Sequence, residues 1–264
     1  MTRQRPYFSN ICVCPNCFPG YGFDVVIQLA VRAGIHRVSL SGKWKDSLPD
    51  LKELLRENRI EVPMVETAEA IGASGSDRLV RNSIDFCVEL GVPLLNIACV
   101  PRPESEEQKR NARSVLRDCA RYAAAAGIRL TLETYGGMSH NARECLYTLE
   151  QIGEPNIGIN YDTGNVLLFS PALSGTNLAE KDLRLLTGHL WAMHLKDFRR
   201  ETSRTEILGR GDIDFPALFR ILDEMNFSGV LGLDLETSAA ARLEDHFTAL
   251  QGSLRYLEDY FQPR

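Results

Sequence analysis

Glu133, Asp162, His194 and Glu236 are separated by 29, 32 and 42 residues, and each closes a short apolar run: IRLTLE, NIGINYD, LWAMH and VLGLDLE. Three carboxylates and one imidazole can hold a single divalent cation, and carboxylates can also carry protons. A (β/α)8 barrel of about 250 residues advances by roughly 31 residues per unit and gathers its chemistry at the C-terminal ends of its strands. The spacing therefore points to one open metal site at the mouth of such a barrel, with Glu133 and Glu236 as the proton-moving pair. An oxygen-rich set with one imidazole suits Mn2+ first, with Mg2+, Co2+ or Zn2+ as alternatives. Two further coordination positions would take the carbonyl and adjacent hydroxyl of a small keto-sugar or polyol. The expected step is proton transfer next to that carbonyl through a metal-bound enediolate.

Strand parity supports the grouping, because side chains alternate between the two faces of a strand. Thr131 shares a face with Glu133, Asn160 with Asp162, Ala192 with His194, and Asp234 with Glu236. The opposite faces carry Leu130 and Leu132, Ile159 and Tyr161, Trp191 and Met193, and Leu233 and Leu235, which can pack under helices. By the same logic Asn10, Cys12 and Cys14 share one face of the first strand, Ser39 and Ser41 one face of the second, and Asn96 and Ala98 one face of the fourth.

Eight strand-like runs alternate with helix-like runs over the whole chain, so the expected architecture is α/β, a single (β/α)8 TIM barrel spanning residues 1–264. Several helices end at glycine (Gly34, Gly91, Gly127), as a helix C-cap before a strand should. A helix is expected over NLAEKDLRLLTG, and another over DFPALFRILDEMN with Asp214 as N-cap and Pro216 in the first turn.

The 264 residues suffice for one large core, and no run is long and apolar enough to suggest a membrane span. The N-terminus lacks the apolar core of a signal peptide, and seven cysteines without regular spacing suggest reduced thiols and a cytoplasmic location. A net charge of −5 weighs against a nucleic-acid partner. Cys14-Pro-Asn-Cys17 is a single CxxC without a second pair, which reads as buried thiol rather than as a redox or zinc site. The basic run KDFRRETSR is open between an anion-binding loop and a solvated one. Trp44 could wall the pocket.

The segments LTLETYGG, IGINYDTGNVL, MHLKDFR, LGRGDIDF and GVLGLDLET resemble the sugar phosphate isomerase/epimerase family. This is part of the xylose isomerase-like TIM barrel superfamily, which also holds ketose 3-epimerases, inosose dehydratases and endonuclease IV. The resemblance implies a divalent-metal-dependent isomerase or epimerase of a keto-sugar, sugar phosphate or polyol. It implies Glu133, Asp162, His194 and Glu236 as ligands and the two glutamates as acid and base. Asn165, Lys196 and Arg200 (or its neighbour Arg199) match substrate-side positions, and the family makes a homo-oligomer reasonable. A dehydratase of the inosose or dehydroshikimate type is the alternative, and a non-catalytic sugar-binding barrel a third reading. Two positions depart from the pattern: Tyr135 stands where relatives read histidine in ENHGG, and Ser39 where they often carry glutamate. Only five histidines are present, too few for the three-metal cluster of endonuclease IV.

Overall fold

The computed structural model describes residues 8–175, 177–236 and 241–261. The remainder of the expected 1–264 domain lies outside the described residues. Eight parallel strands form one sheet: β1 (Ile11–Val13), β2 (Leu40–Ser41), β3 (Val65–Glu69), β4 (Leu94–Cys99), β5 (Arg129–Glu133), β6 (Ile157–Asp162), β7 (Leu190–Leu195) and β10 (Val230–Leu233). Their order is β1-β10-β7-β6-β5-β4-β3-β2. The two ends of this row meet through a parallel bridge between Val13 and Val38, with Val13 N–H donating to Arg37 O and Ser39 N–H to Val13 O. The sheet thus closes into a barrel, as the repeat length requires. The main helices are α1 (Phe23–Arg32), α2 (Leu48–Glu57), α3 (Ser76–Leu90), α4 (Glu106–Ala125), α5 (Ala142–Ile152), α8 (Phe215–Glu224) and α9 (Leu243–Phe261).

Two apolar layers result from strand parity. Outward residues such as Leu130, Leu132, Ile159, Met193, Leu231 and Leu233 join the core beneath the helices. Each such fully buried aliphatic chain contributes roughly 1.5–3 kcal/mol. Inside the barrel, Met64, Leu94 and Ala192 form a separate small cluster. These lie two residues before Glu66, Asn96 and His194, so the barrel has an apolar floor and a polar mouth.

Local signals act where expected. Gly34, Gly91 and Gly127 all have left-handed backbone. Asp214 accepts from Ala217 N–H at 3.0 Å, capping α8. Other expectations are corrected. NLAEKDLRLLTG is split into α7 (Leu178–Lys181) and a 3-10 turn, Leu183–Leu186, around Asp182. Its buried carboxylate accepts from Tyr161 Oη at 2.8 Å and Ala142 N–H at 3.1 Å. Trp191 packs on the inner floor cluster rather than under the helices, because the β6–β7 register shifts between Ile159 and Asn160 and Gly158 has no side chain where the indole lies. The run KDFRRETSR folds into a hairpin of β8 (Asp197–Arg199) and β9 (Arg204–Glu206). Trp44 packs edge-on against Phe23 instead of walling the pocket.

Candidate metal centre

The C-terminal ends of β5, β6 and β7 bring Glu133, Asp162 and His194 together. His194 Nδ1 is 3.7 Å from Glu133 Oε1, 3.7 Å from Asp162 Oδ2 and 3.6 Å from Asp234 Oδ2. One ligand atom from each of these four residues lies within 4.8 Å of every other. Metal–ligand bonds of about 2.0–2.6 Å let one ion touch atoms that far apart. The fourth carboxylate of this group is Asp234. Glu236, the expected ligand, sits one pleat further out with its side chain 41% exposed, and its carboxylate is 2.9 Å from Lys196 Nζ. The pleat explains the difference: residues 234 and 236 share a face, so parity selects both, and only height along the strand separates them.

The supporting contacts are specific. Asn96 Nδ2 donates to Glu133 Oε2 at 2.7 Å and Asn165 Nδ2 to Glu133 Oε1 at 3.3 Å. Thr131 Oγ1 donates to Asn96 Oδ1, fixing that amide's orientation. Asp162 uses Oδ1 to accept from Asn165 N–H at 2.8 Å, as N-cap of α6 (Thr163–Phe169), which leaves Oδ2 for the centre. Asn165 therefore braces two carboxylates. On β3, Glu66 accepts from the Ser39 hydroxyl through Oε1 and approaches His194 Nε2 with Oε2 at 3.7 Å. Glu66 closes the apolar run VPMV in the sequence, and the structure places it second in a strand that continues to Glu69. Its parity with Met64 is the signal that could have found it.

Five carboxylates thus surround one imidazole and one ammonium. Lys196 is buried, with Nζ 2.8 Å from Asp162 Oδ2, 3.0 Å from Asp234 Oδ2 and 2.9 Å from Glu236 Oε2. Burial opposes the charge on Lys196, and Asp162, Asp234 and Glu236 outweigh it, holding the group well above its ordinary range. Burial likewise opposes protonation of His194, while Cys14, Glu133 and Glu66 outweigh that and raise it. Burial pushes Glu66 up, and burial with Asp234 pushes Glu236 up to about 7. Excess buried negative charge is costly unless paired. Both nitrogens of His194 and both oxygens of Asp234 also lack a hydrogen bond of good geometry, although Lys196 stands at ion-pair distance from one of those oxygens. A three-carboxylate, one-imidazole set with orphaned donor atoms fits a divalent cation such as Mn2+.

A cavity of about 180 Å³ opens above the centre, lined by Glu66, Asn96, Glu133, Tyr135, Glu236 and Lys43 among others. Its size suits a small polyol more than a nucleotide. A larger cavity, about 620 Å³, lies at the opposite end among Arg37, Pro93, Arg129 and Phe227, away from these groups. Arg200, expected on the substrate side, is engaged by backbone carbonyls. Its guanidinium donates to Leu167 O at 2.6 Å and Ser170 O at 3.1 Å, closing the C-terminus of α6. Arg199 pairs with Glu206 and Asp212. The glycine-rich LGRGDIDF wraps the buried Asp197 carboxylate, which accepts from the N–H groups of Phe198, Gly209, Gly211 and Ile213. No helix among the described residues is long and apolar enough to cross a membrane.

Residues 21–260 match the family described as xylose isomerase-like TIM barrel, and the chain belongs to that family. The L-ribulose 3-epimerase of Methylomonas sp. (strain DH-1) is 26% identical over 249 residues, covering 86% of this chain and 83% of that protein. The L-ribulose-5-phosphate 3-epimerase UlaE of Escherichia coli (strain K12) is 22% identical over 183 residues, covering 67% of this chain and 62% of that protein. D-allulose 3-epimerase from Methylomonas sp. in complex with D-allulose has a TM-score of 0.77 at 19% identity, over 95% of this chain and 96% of the other. The probable 3-DHS dehydratase AsbF from Bacillus anthracis has a TM-score of 0.75 at 13% identity, over 94% of this chain and 98% of the other. These two structural likenesses establish the barrel.

Proposed function

We propose that this protein is a divalent-metal-dependent epimerase of a small ketose or ketose phosphate. The observation that carries the reading is the convergence of Glu133, Asp162, His194 and Asp234 on one point beneath a small open cavity. The Methylomonas and Escherichia coli sequence relatives support the same class, since both are named as ribulose-type 3-epimerases. These four residues would hold the cation, Mn2+ first. The bound ion would polarise the substrate carbonyl and so acidify the neighbouring C–H.

This chain's own groups then move the proton. Glu133, oriented by Asn96 and Asn165, takes the proton from the carbon next to the carbonyl, and negative charge passes onto the carbonyl oxygen. Glu236 lines the same cavity, and in the metal-free protein burial and Asp234 push it up to about 7, so it is placed to carry the second proton. Delivery to the opposite face inverts that carbon. Lys196 holds Glu236 in reach through its ammonium.

The test is conversion of a panel of free and phosphorylated ketoses, beginning with ribulose and allulose, followed by NMR with and without Mn2+. Interconversion of 3-epimers that requires the metal is the expected result. Protein that retains Mn2+ but epimerises none of the panel overturns the reading, and loss of water from a substrate would move it to the lyases.

A further inference from the structure

His194 has two faces, and the proposed function uses only one. Nδ1 looks toward Glu133, Asp162 and Asp234, while Nε2 looks toward Glu66. On that second side, Cys14 Sγ, one Glu66 oxygen and one His194 nitrogen all lie within 4.8 Å of one another.

Strand order explains how β1 and β7 reach each other there. β10 lies between them, with Gly232 paired to Cys12 on one side and His194 on the other. A Cβ at Gly232 would come 2.6 Å from Cys14 Sγ, 2.9 Å from His194 Cδ2 and 3.3 Å from Nε2. Glycine therefore keeps open the space between thiol and imidazole. His194 is 1% exposed, yet Nε2 has no hydrogen-bond partner. Buried polar nitrogens are normally satisfied, so one aimed at a thiol and a carboxylate marks a candidate ligand position. Glu66 is anchored through Oε1 by the Ser39 hydroxyl, which leaves Oε2 for the gap, and Glu66 also lines the open cavity.

We propose that Cys14 Sγ, Glu66 Oε2 and His194 Nε2 form a second cation position, selective for a thiophilic divalent ion of the Zn2+ class and distinct from the oxygen-rich position on the Nδ1 side. One sulfur, one nitrogen and one oxygen are the donor types that Zn2+ accepts in four-coordinate sites, with a fourth place open to water. As the sulfur–metal bond forms, the Cys14 proton leaves to solvent. Burial, the Cys12 hydrogen bond and Glu66 keep that thiol above its ordinary range, so the cation must displace a proton from it. A neutral imidazole has a single lone pair, and one His194 ring in that form serves one position at a time.

The test is a Co2+ titration of the metal-stripped full chain, read by absorbance. A near-ultraviolet thiolate-to-cobalt charge-transfer band is expected in the wild type. It should be lost in Cys14→Ala, retained in Cys17→Ala, and shifted to higher Co2+ concentration in Glu66→Gln. Saturation with Co2+ without a charge-transfer band in the wild type overturns the proposal and needs no variant to fold. A band that survives in Cys14→Ala overturns it as well. Mn2+ binding, read from the loss of the free-ion paramagnetic resonance signal, reports the oxygen-rich position separately. Failure of Mn2+ to bind would remove the epimerase reading while the sulfur band still decides this one.

Discussion

The rim of the barrel differs between β5–β7 and β10. On the first three strands the chemical residue lies within the strand or closes it, and neighbours brace the two carboxylates: Asn96 and Asn165 on Glu133, and the N-cap bond on Asp162. On β10 the regular strand stops at Leu233, and both carboxylates follow it. Asp234 turns into the centre. Glu236 takes a left-handed backbone, φ 40°, and its carbonyl accepts from Thr205 of the hairpin at 3.1 Å. A non-glycine residue in that conformation stores roughly 1–3 kcal/mol and persists where surrounding contacts impose it. The rim thus divides into a braced sector at β5 and β6 and a more open one after β10.

The largest effect should fall on proton transfer. Glu133→Gln and Glu236→Gln should each slow epimerisation by about 10²–10⁴-fold, measured by NMR on the accepted ketose. The contrast lies in metal retention, which Glu133→Gln should lose and Glu236→Gln largely keep. Asn96→Ala and Asn165→Ala should weaken Mn2+ binding by roughly 10–100-fold, seen by calorimetry, because they release Glu133. Equal affinities in these variants and the wild type would mean that the β5 side needs no bracing. Arg200→Ala should cost about 1–3 kcal/mol by thermal melting, from uncapped carbonyls of α6, and leave KM unchanged. A raised KM with unchanged stability would restore Arg200 to the substrate.

The smallest effect is a pH signature of the metal-free protein. Burial raises Glu236 to about 7, above its unfolded value. The folded state therefore holds a proton that the unfolded state has already released. Stability should decline as pH rises from the ordinary carboxylate range to about 7, and Glu236→Gln should flatten that decline. Its partial exposure keeps the effect modest.

The barrel was legible because its signals are local and repeated: strand parity, glycine caps, and an N-cap such as Asp214. Glu133, Asp162 and His194 were legible because an apolar run ends on each. Asp234 was not distinguished from Glu236, since both have the same parity and the height at which β10 enters the ring depends on pairing with β7 and β1. Arg200 read as a ligand-binding cation because its distance to α6 carbonyls arises from a hairpin that its polar sequence does not announce. Parity could place Glu66 and Cys14 on the inner face, but their approach to His194 comes from closure of the ring, a long-range outcome that no single segment encodes.

The placement of the metal centre is most directly tested by paired Mn2+ titrations of Asp234→Asn and Glu236→Gln beside the wild type, using calorimetry. One equivalent should bind to the wild type and to Glu236→Gln within about tenfold affinity, while Asp234→Asn should fall by more than the roughly 10–100-fold typical of a supporting residue. The reverse ranking, with Asp234→Asn binding normally and Glu236→Gln losing the ion, would contradict that placement.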